Sequence, residues 1–164
     1  MKNLLFIITL FLSLSVFSQN MNTEKLNKII IQEADSIKRN GNSWNFSFKN
    51  KLLICIADTK ANRMRIISPV ISQQNLTREQ ILNSLIANFH TALDVKYALS
   101  NEVLWSVFTH PLKELTEHQV KDAILQVYNA NITFGSIYSS TSLTFPATER
   151  KQKKEIKTPV LKKI

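Results

Sequence analysis

Three histidines and one cysteine are the side chains of this chain best suited to metal binding or nucleophilic chemistry. A metal site on a helix needs two ligands three or four residues apart. His90 and Asp94 have this spacing, but Asp94 falls beyond the predicted end of a helix. His110 precedes a proline at a strand end, and His118 lies in the first turn of a predicted helix. We therefore predict no metal site and no cofactor.

The residue patterns of the common enzyme classes are missing from the sequence. The chain has two glycines, Gly41 and Gly135, which excludes glycine-rich phosphate loops and the G-x-S-x-G turn of serine hydrolases. No spacing of Ser, His and Asp indicates a triad. The acids on predicted turns and helix faces, where solvated charge is expected, are Asp58, Asp94, Glu102, Glu114 and Asp122. We therefore predict no catalytic residues.

The first 18 residues have the layout of a secretory signal peptide. A short positive start precedes an apolar run over residues 4–17, and Val16 and Ser18 occupy the −3 and −1 positions of a cut before Gln19. The run has 14 residues, fewer than the roughly 20 that a membrane-spanning helix needs. We predict export to the periplasm or outside the cell. An uncleaved N-terminal anchor is the alternative.

Length and composition predict one packed domain over residues 19–145 and a basic tail over residues 146–164. Cys55 is the single cysteine, so no intramolecular disulfide holds the domain, and its apolar surroundings favour a buried thiol. The net charge is +9, but the tail holds seven Lys or Arg and two Glu. The domain is therefore only mildly basic, which predicts no nucleic-acid partner. We expect a disordered tail that is either solvated or in weak contact with a membrane surface.

Hydrophobic periodicity predicts an α+β fold in the order α-β-β-β-α-β-β-α, with a mainly antiparallel five-stranded sheet and packed helices. The predicted strands cover residues 44–48, 52–57, 64–71, 95–99 and 103–108. The first helix is predicted from Thr23 to Arg39, where the segment Asn40-Gly41-Asn42 ends it. Pro69 cannot donate a ladder hydrogen bond, so it predicts a sheet edge or the end of the third strand.

The second and third helices both begin with a capping box, Thr77 with Gln80 and Thr116 with Gln119. The second helix has a broad apolar face made of Ile81, Leu82, Leu85, Ile86 and Phe89. This helix, residues 77–90, is a candidate homodimer surface.

Five aromatic side chains are candidate ligand- or peptide-binding residues: Trp44, Phe46, Phe48, Trp105 and Phe108. The first three alternate with polar residues on one strand, which favours a buried core face or a groove for an apolar ligand or extended peptide. Trp105 and Phe108 face opposite sides of the sheet and cannot both point into one core.

The region from Ser43 to Gly135 resembles the type III secretion chaperone-like fold, and in particular its sensory-transduction-regulator-like (Tir-chaperone-like) domains. The resemblance rests on residues 44–48 (WNFSF), 65–70 (RIISPV), 93–99 (LDVKYAL) and 110–112 (HPL). It implies an α+β sandwich, frequent homodimers, no cofactor, no catalytic residues, and binding of extended protein segments. Family members are cytosolic and usually acidic, whereas this chain has a signal and is basic.

These observations predict an exported, non-catalytic, chaperone-like module that binds a protein or an extended peptide through a sheet face or edge. A periplasmic carrier of a small apolar ligand, with its pocket between sheet and helices, is the first alternative. An enzyme of unknown type is the second.

Overall fold

The computed structural model of the chain describes residues 20–141. The predicted signal peptide, residues 1–18, and the predicted tail, residues 146–164, lie outside the described residues. The elements in chain order are α1 (Thr23–Glu33), β1 (Ser36–Asn40), β2 (Ser43–Phe48), β3 (Lys51–Asp58), β4 (Arg63–Ser72), a 3-10 turn (Gln73–Asn75), α2 (Arg78–His90), β5 (Val95–Ser100), β6 (Val103–His110) and α3 (Glu117–Thr133).

The strands form one antiparallel sheet in the order β1-β2-β3-β4-β6-β5. Three of its hairpins have two-residue turns, and each turn contains a residue with positive φ, namely Gly41, Lys49 with Asn50, and Asn101 with Glu102. Such turns match the twist of the flanking strands. The α+β class and the antiparallel sheet are therefore confirmed.

The sheet has six strands, so the prediction of five was wrong. Helix α1 ends at Glu33, and the N–H of Asp35 donates to the carbonyl of Ser47 at 2.8 Å, which starts β1 beside β2. The Asn40-Gly41-Asn42 segment is a hairpin turn rather than a helix stop. Pairing with β2 satisfies the backbone groups on one side of residues 36–40, and this contact outweighs their helical periodicity. A two-residue Gly-Asn turn, here Gly41-Asn42, is itself a hairpin signal.

Helices α1 and α3 pack on one face of the sheet, here called the core face. The largest fully buried side chains lie between these layers and include Leu26, Trp44, Met64, Ile66 and Ile124. The indole N–H of Trp44 donates to Asn27 of α1 at 2.8 Å, so this buried polar group is paired.

Pro69 lies inside β4 rather than at its end, and the pairing of β4 with β3 stops at Ile67, two residues before the proline. The pairing of β4 with β6 shifts between Pro69 and Ile71, which marks a β-bulge, a position where a strand tolerates proline. The side chain of Asn131 in α3 donates to the Pro69 carbonyl at 2.7 Å and to the Ser68 hydroxyl at 2.8 Å. The predicted strand end was therefore wrong, since β4 continues to Ser72, whereas Pro69 does lie at a local edge because β3 has stopped pairing with β4 there.

Candidate protein-binding surfaces

The histidines and the cysteine, which could bind metal or act as nucleophiles, lie far apart in the structure. His90 and His118 are exposed, and His110 stacks on Phe108 with its Nδ1 2.8 Å from the carbonyl of Pro111. Within residues 20–141 no group of three or more His, Cys, Asp or Glu is arranged to hold a metal ion. Cys55 is fully buried, and this burial raises the pKa of its thiol. A neutral, inaccessible thiol acts as a core residue.

The structure separates the five aromatic candidates. Trp44, Phe46 and Phe48 are 0%, 2% and 8% exposed on the core face, and Phe108 lies on the same face at 5%. Phe48 packs edge-on against Tyr128 of α3. Trp105 lies on the opposite face, half-buried, with its indole N–H donating to the Ser100 carbonyl at 3.1 Å. Four of the five side chains therefore join the sheet to the helices, and Trp105 faces outward.

Helix α2 is attached to the domain by its small and polar side. The Thr77 hydroxyl accepts from the Gln80 N–H at 3.1 Å and the Gln80 side chain accepts from the Thr77 N–H at 3.0 Å, so the predicted capping box is present. Ser84 and Ala87 are the buried residues of the helix. The Asn88 side-chain amide pairs with both the N–H and the carbonyl of Tyr97 in β5.

The opposite side of α2 is a continuous apolar surface that faces solvent, here called the α2 face. Its members and their exposed fractions are Ile81 43%, Leu82 56%, Leu85 61%, Ile86 39% and Phe89 85%. A helix packed on its own domain normally turns its apolar stripe inward. An exposed apolar patch of this kind marks an interaction site.

The two edges of the sheet differ in how open they are. At the β5 edge, the Asn88 amide occupies the outward N–H and carbonyl of Tyr97. At the β1 edge all five residues are exposed, and among residues 20–141 this strand pairs only with β2. Arg39 on β1 forms an ion pair with Glu24 at 2.9 Å and lies over the Trp44 ring, 5.1 Å from its centroid. Strand β1 is therefore the more accessible template for an added strand.

Sequence reasoning missed the β1 edge and the role of Asn88. The Gly41-Asn42 turn was an available signal for the first. For the second no local signal exists, since Asn88 and Tyr97 meet only through the packing of α2 on β5.

The space between sheet and helices, which the carrier hypothesis requires, is filled by core side chains. The depressions of the described residues open to solvent, and one of about 250 Å³ lies between the end of β6 and the first turns of α3. Another, of about 530 Å³, is lined by apolar and charged side chains of both signs, including Met21, Ile29, Leu115, Lys25, Lys28, Lys113, Glu114 and Glu117. Among residues 20–141 no helix is long and apolar enough to cross a membrane.

No protein-family model and no curated protein matches the sequence. Solved structures with a similar fold include two that contain type III secretion chaperones or a chaperone-effector complex. A chain in the structure of the HopA1-SchA chaperone-effector complex has a TM-score of 0.53 and 11% identity, and the match covers 66% of this chain and 88% of that one. A chain in the structure of the Yersinia pestis type III secretion chaperone SycH with a stable fragment of YscM2 has a TM-score of 0.54 and 9% identity, with 69% and 98% covered. The predicted resemblance is thus confirmed at the level of architecture: this chain has a type III secretion chaperone-like fold.

Proposed function

We propose that this protein is an exported, non-catalytic module that binds other proteins and acts as a homodimer joined through the α2 face. The observation that carries the proposal is the exposure of five large apolar side chains on one helix whose opposite side is anchored to the domain. The fold supports it, because the similar structures contain a chaperone with an effector or with a protein fragment.

A second copy suits the α2 face because that face has little charge of its own. Between Ile81 and Phe89 the helix contains no Asp, Glu, Lys or Arg. A twofold contact would therefore bury apolar surface on both copies without placing like charges together. A stable interface of this kind buries roughly 800 Å² per partner.

The open β1 edge is where we propose that an extended segment of a partner protein adds to the sheet. Main-chain hydrogen bonds would give affinity, and the neighbouring side chains would select the sequence. A depression of about 310 Å³ beside this edge is lined by residues of β1 and β2 with Leu52 of β3.

The dimer is tested with Leu85→Asp, which places a charge in the middle of the α2 face. Analytical ultracentrifugation of the purified exported protein should show a dimer for the unchanged chain and a monomer for Leu85→Asp. Ile31→Asp is the matched control, since Ile31 is a similarly exposed aliphatic residue at 53% on α1, and this variant should remain dimeric. A monomeric unchanged chain at about 100 µM would contradict the dimer, since a biologically useful contact should be micromolar or tighter.

Export and edge binding have separate tests. The mass of the mature protein should correspond to a chain beginning at Gln19, and an intact Met1 would rule out cleavage. Hydrogen-exchange mass spectrometry in the presence of proteins from the exported fraction should show added protection in β1. Protection confined to α2 would place the partner elsewhere.

We also propose that the basic residues of the tail add weak attraction to anionic lipid. Deletion of residues 146–164 should abolish salt-sensitive binding to phosphatidylserine vesicles. Binding that survives the deletion would reject this role for the tail.

A further inference from the structure

The face of the sheet opposite α1 and α3 carries a second apolar surface, here called the outer patch. It consists of Leu52, Ile54, Ile56, Ile67, Trp105 and Val107, which the strand register places side by side on β3, β4 and β6. Leu52 and Ile56 are 49% and 46% exposed, and the other four are half-buried. Within residues 20–141, α1 and α3 pack on the core face and α2 on β5, so no helix covers the outer patch.

The sequence of β3 has the character of a strand that is covered on both faces. Residues 52–57 are apolar without interruption, whereas a sheet with one solvated face alternates apolar and polar residues. Leu53, Cys55 and Ala57 are buried on the core face, and Leu52, Ile54 and Ile56 form the opposite row. The outer row is therefore built like an interior surface, but the described chain provides nothing to bury it.

Basic side chains surround the outer patch. The register places Lys38, Arg63 and Arg65 on this face, all exposed. Asp58 lies on the same face, opposite Arg63 in the register, and its carboxylate accepts hydrogen bonds from the amides of Lys60 and Ala61 at 2.9 Å. It keeps its negative charge, so these three basic side chains outnumber one acidic side chain on the strands of this face. Asp35, at the start of β1, similarly accepts from the Asn50 amide at 3.1 Å.

The basic residues around the patch favour one of its possible binding partners over the others. A second copy would bring two basic rims together, and like charges across an interface are unfavourable. The tail of the same chain, with seven basic and two acidic residues, is repelled for the same reason. A partner with acidic residues beside an apolar stripe complements both the patch and its rim.

We propose that the outer patch binds an amphipathic helix of a partner protein, with an apolar stripe that contacts the six patch residues and acidic residues that meet Lys38, Arg63 and Arg65. The inference rests on the proposed protein-binding function and defines the chemistry of the partner. A helix is the appropriate element because α1 and α3 cover the other face in this way. The strands β2 to β5 span roughly 20 Å, which a helix of about 14 residues crosses.

The test uses two synthetic helical peptides of about 18 residues that share one leucine stripe. One carries glutamate beside the stripe and the other carries lysine. Fluorescence anisotropy of the labelled peptides with the purified exported protein should show at least about tenfold tighter binding of the glutamate peptide, equivalent to about 1.4 kcal/mol. Raising the salt from about 0.05 to 0.5 M should weaken this binding several-fold, because the rim charges are exposed.

Two variants locate the contact. Arg63→Glu with Arg65→Glu changes only exposed side chains and should reverse the preference, so that the lysine peptide binds more tightly. Ile56→Lys should abolish binding of the glutamate peptide. Ile31→Asp, at an exposed position on α1 outside both surfaces, is the control and should leave this binding unchanged, with circular dichroism confirming the fold of every variant.

Equal affinity for the two peptides, or binding that is insensitive to the rim reversal, would overturn the inference. Self-association that Ile56→Lys abolishes while Leu85→Asp does not would instead assign the patch to a second copy. Binding to phosphatidylserine vesicles that depends on the patch, without peptide binding, would assign it to a membrane. The dimer through α2 is tested separately by ultracentrifugation of Leu85→Asp. Failure of this inference is therefore distinguishable from failure of the proposed function.

Discussion

Helices α2 and α3 begin with the same capping motif, but α3 buries its apolar side in the domain and α2 exposes it to solvent. Each starts with a Thr-x-x-Gln capping box in which both reciprocal hydrogen bonds form. Helix α3 buries Val120, Ile124 and Val127 completely against the sheet. Helix α2 turns Ser84 and Ala87 inward and leaves its large aliphatic residues in solvent. Where a helix starts is therefore set by neighbouring residues, whereas burial of its apolar side is set by the rest of the fold.

The difference shows that an apolar stripe alone does not identify a core face. Whether the apolar side is buried depends here on where each helix connects to the sheet. Helix α3 follows β6 and packs across the sheet, whereas α2 connects β4 to the edge strand β5 and contacts mainly β5. A helix at a sheet edge has less of its own domain to cover its surface. The apolar side of such a helix is then available to another molecule.

The largest expected contrast between the two helices is in stability. Ile124→Ala should destabilise the fold by about 2–5 kcal/mol, because it leaves a cavity beneath α3. Leu85→Ala on α2 should change the free energy of unfolding by less than about 0.5 kcal/mol. Urea unfolding at a protein concentration low enough to keep the chain monomeric measures both values. Similar losses for the two variants would mean that the α2 face is packed within the monomer.

A smaller effect is expected at Tyr97, which joins both helices to β5. Its hydroxyl donates to the Ala130 carbonyl of α3 at 2.7 Å, and its backbone pairs with Asn88 of α2. Burial raises the pKa of Tyr97 from 10.0 to about 12, so the folded state holds this proton more tightly than the unfolded state. Stability from this group is complete below pH 10 and is lost as the pH rises toward 12.

The measurement for Tyr97 is the difference in unfolding free energy between the unchanged chain and Tyr97→Phe across this pH range. We expect the unchanged chain to lose about 1 kcal/mol more than the variant by pH 12, after allowance for partial solvent screening. Asn88→Ala is the control, since it removes the α2 contact and keeps the phenol. Parallel pH curves for the unchanged chain and Tyr97→Phe would contradict the assignment.

The smallest contrast concerns the capping boxes. Thr116→Ala should reduce global stability by about 1 kcal/mol, because α3 is part of the core. Thr77→Ala should reduce it by roughly half as much and mainly speed amide exchange within α2, because this helix can open locally. Urea unfolding combined with hydrogen exchange separates the two responses. Equal global losses would indicate that α2 and α3 unfold as one unit.

Much of the fold was predictable because its signals are local. Both capping boxes, the β5–β6 hairpin and the apolar strand at Cys55 follow from residues that are neighbours in sequence. The strand at Ser36–Asn40 was predicted as helix, since Ile37, Lys38 and Arg39 fit a helical pattern and their partner β2 lies across a turn. The carbonyl of Pro69 at the bulge accepts a hydrogen bond from Asn131, which is 62 residues away along the chain.

The binding surfaces, like the fold, were predictable only where local sequence carries the signal. The apolar stripe of α2 was visible in the sequence as a set of residues, and it was named as a dimer surface. Trp44, Phe46 and Phe48 were visible as an alternating strand, but periodicity cannot distinguish a core face from a groove. The outer patch was not predicted, because the apolar run of β3 indicates two apolar faces without showing which of them is covered.

Local sequence was enough to predict the secondary structure of most elements, the α+β class and the apolar side of each element that was predicted correctly, because these depend on periods of 3.6 and 2 residues and on local capping. Which of those apolar sides are buried depends on the packing of the whole domain. Burial depends on strand order and on where each helix meets the sheet, and these are set by contacts between distant residues. The α2 face and the outer patch are exposed for that reason.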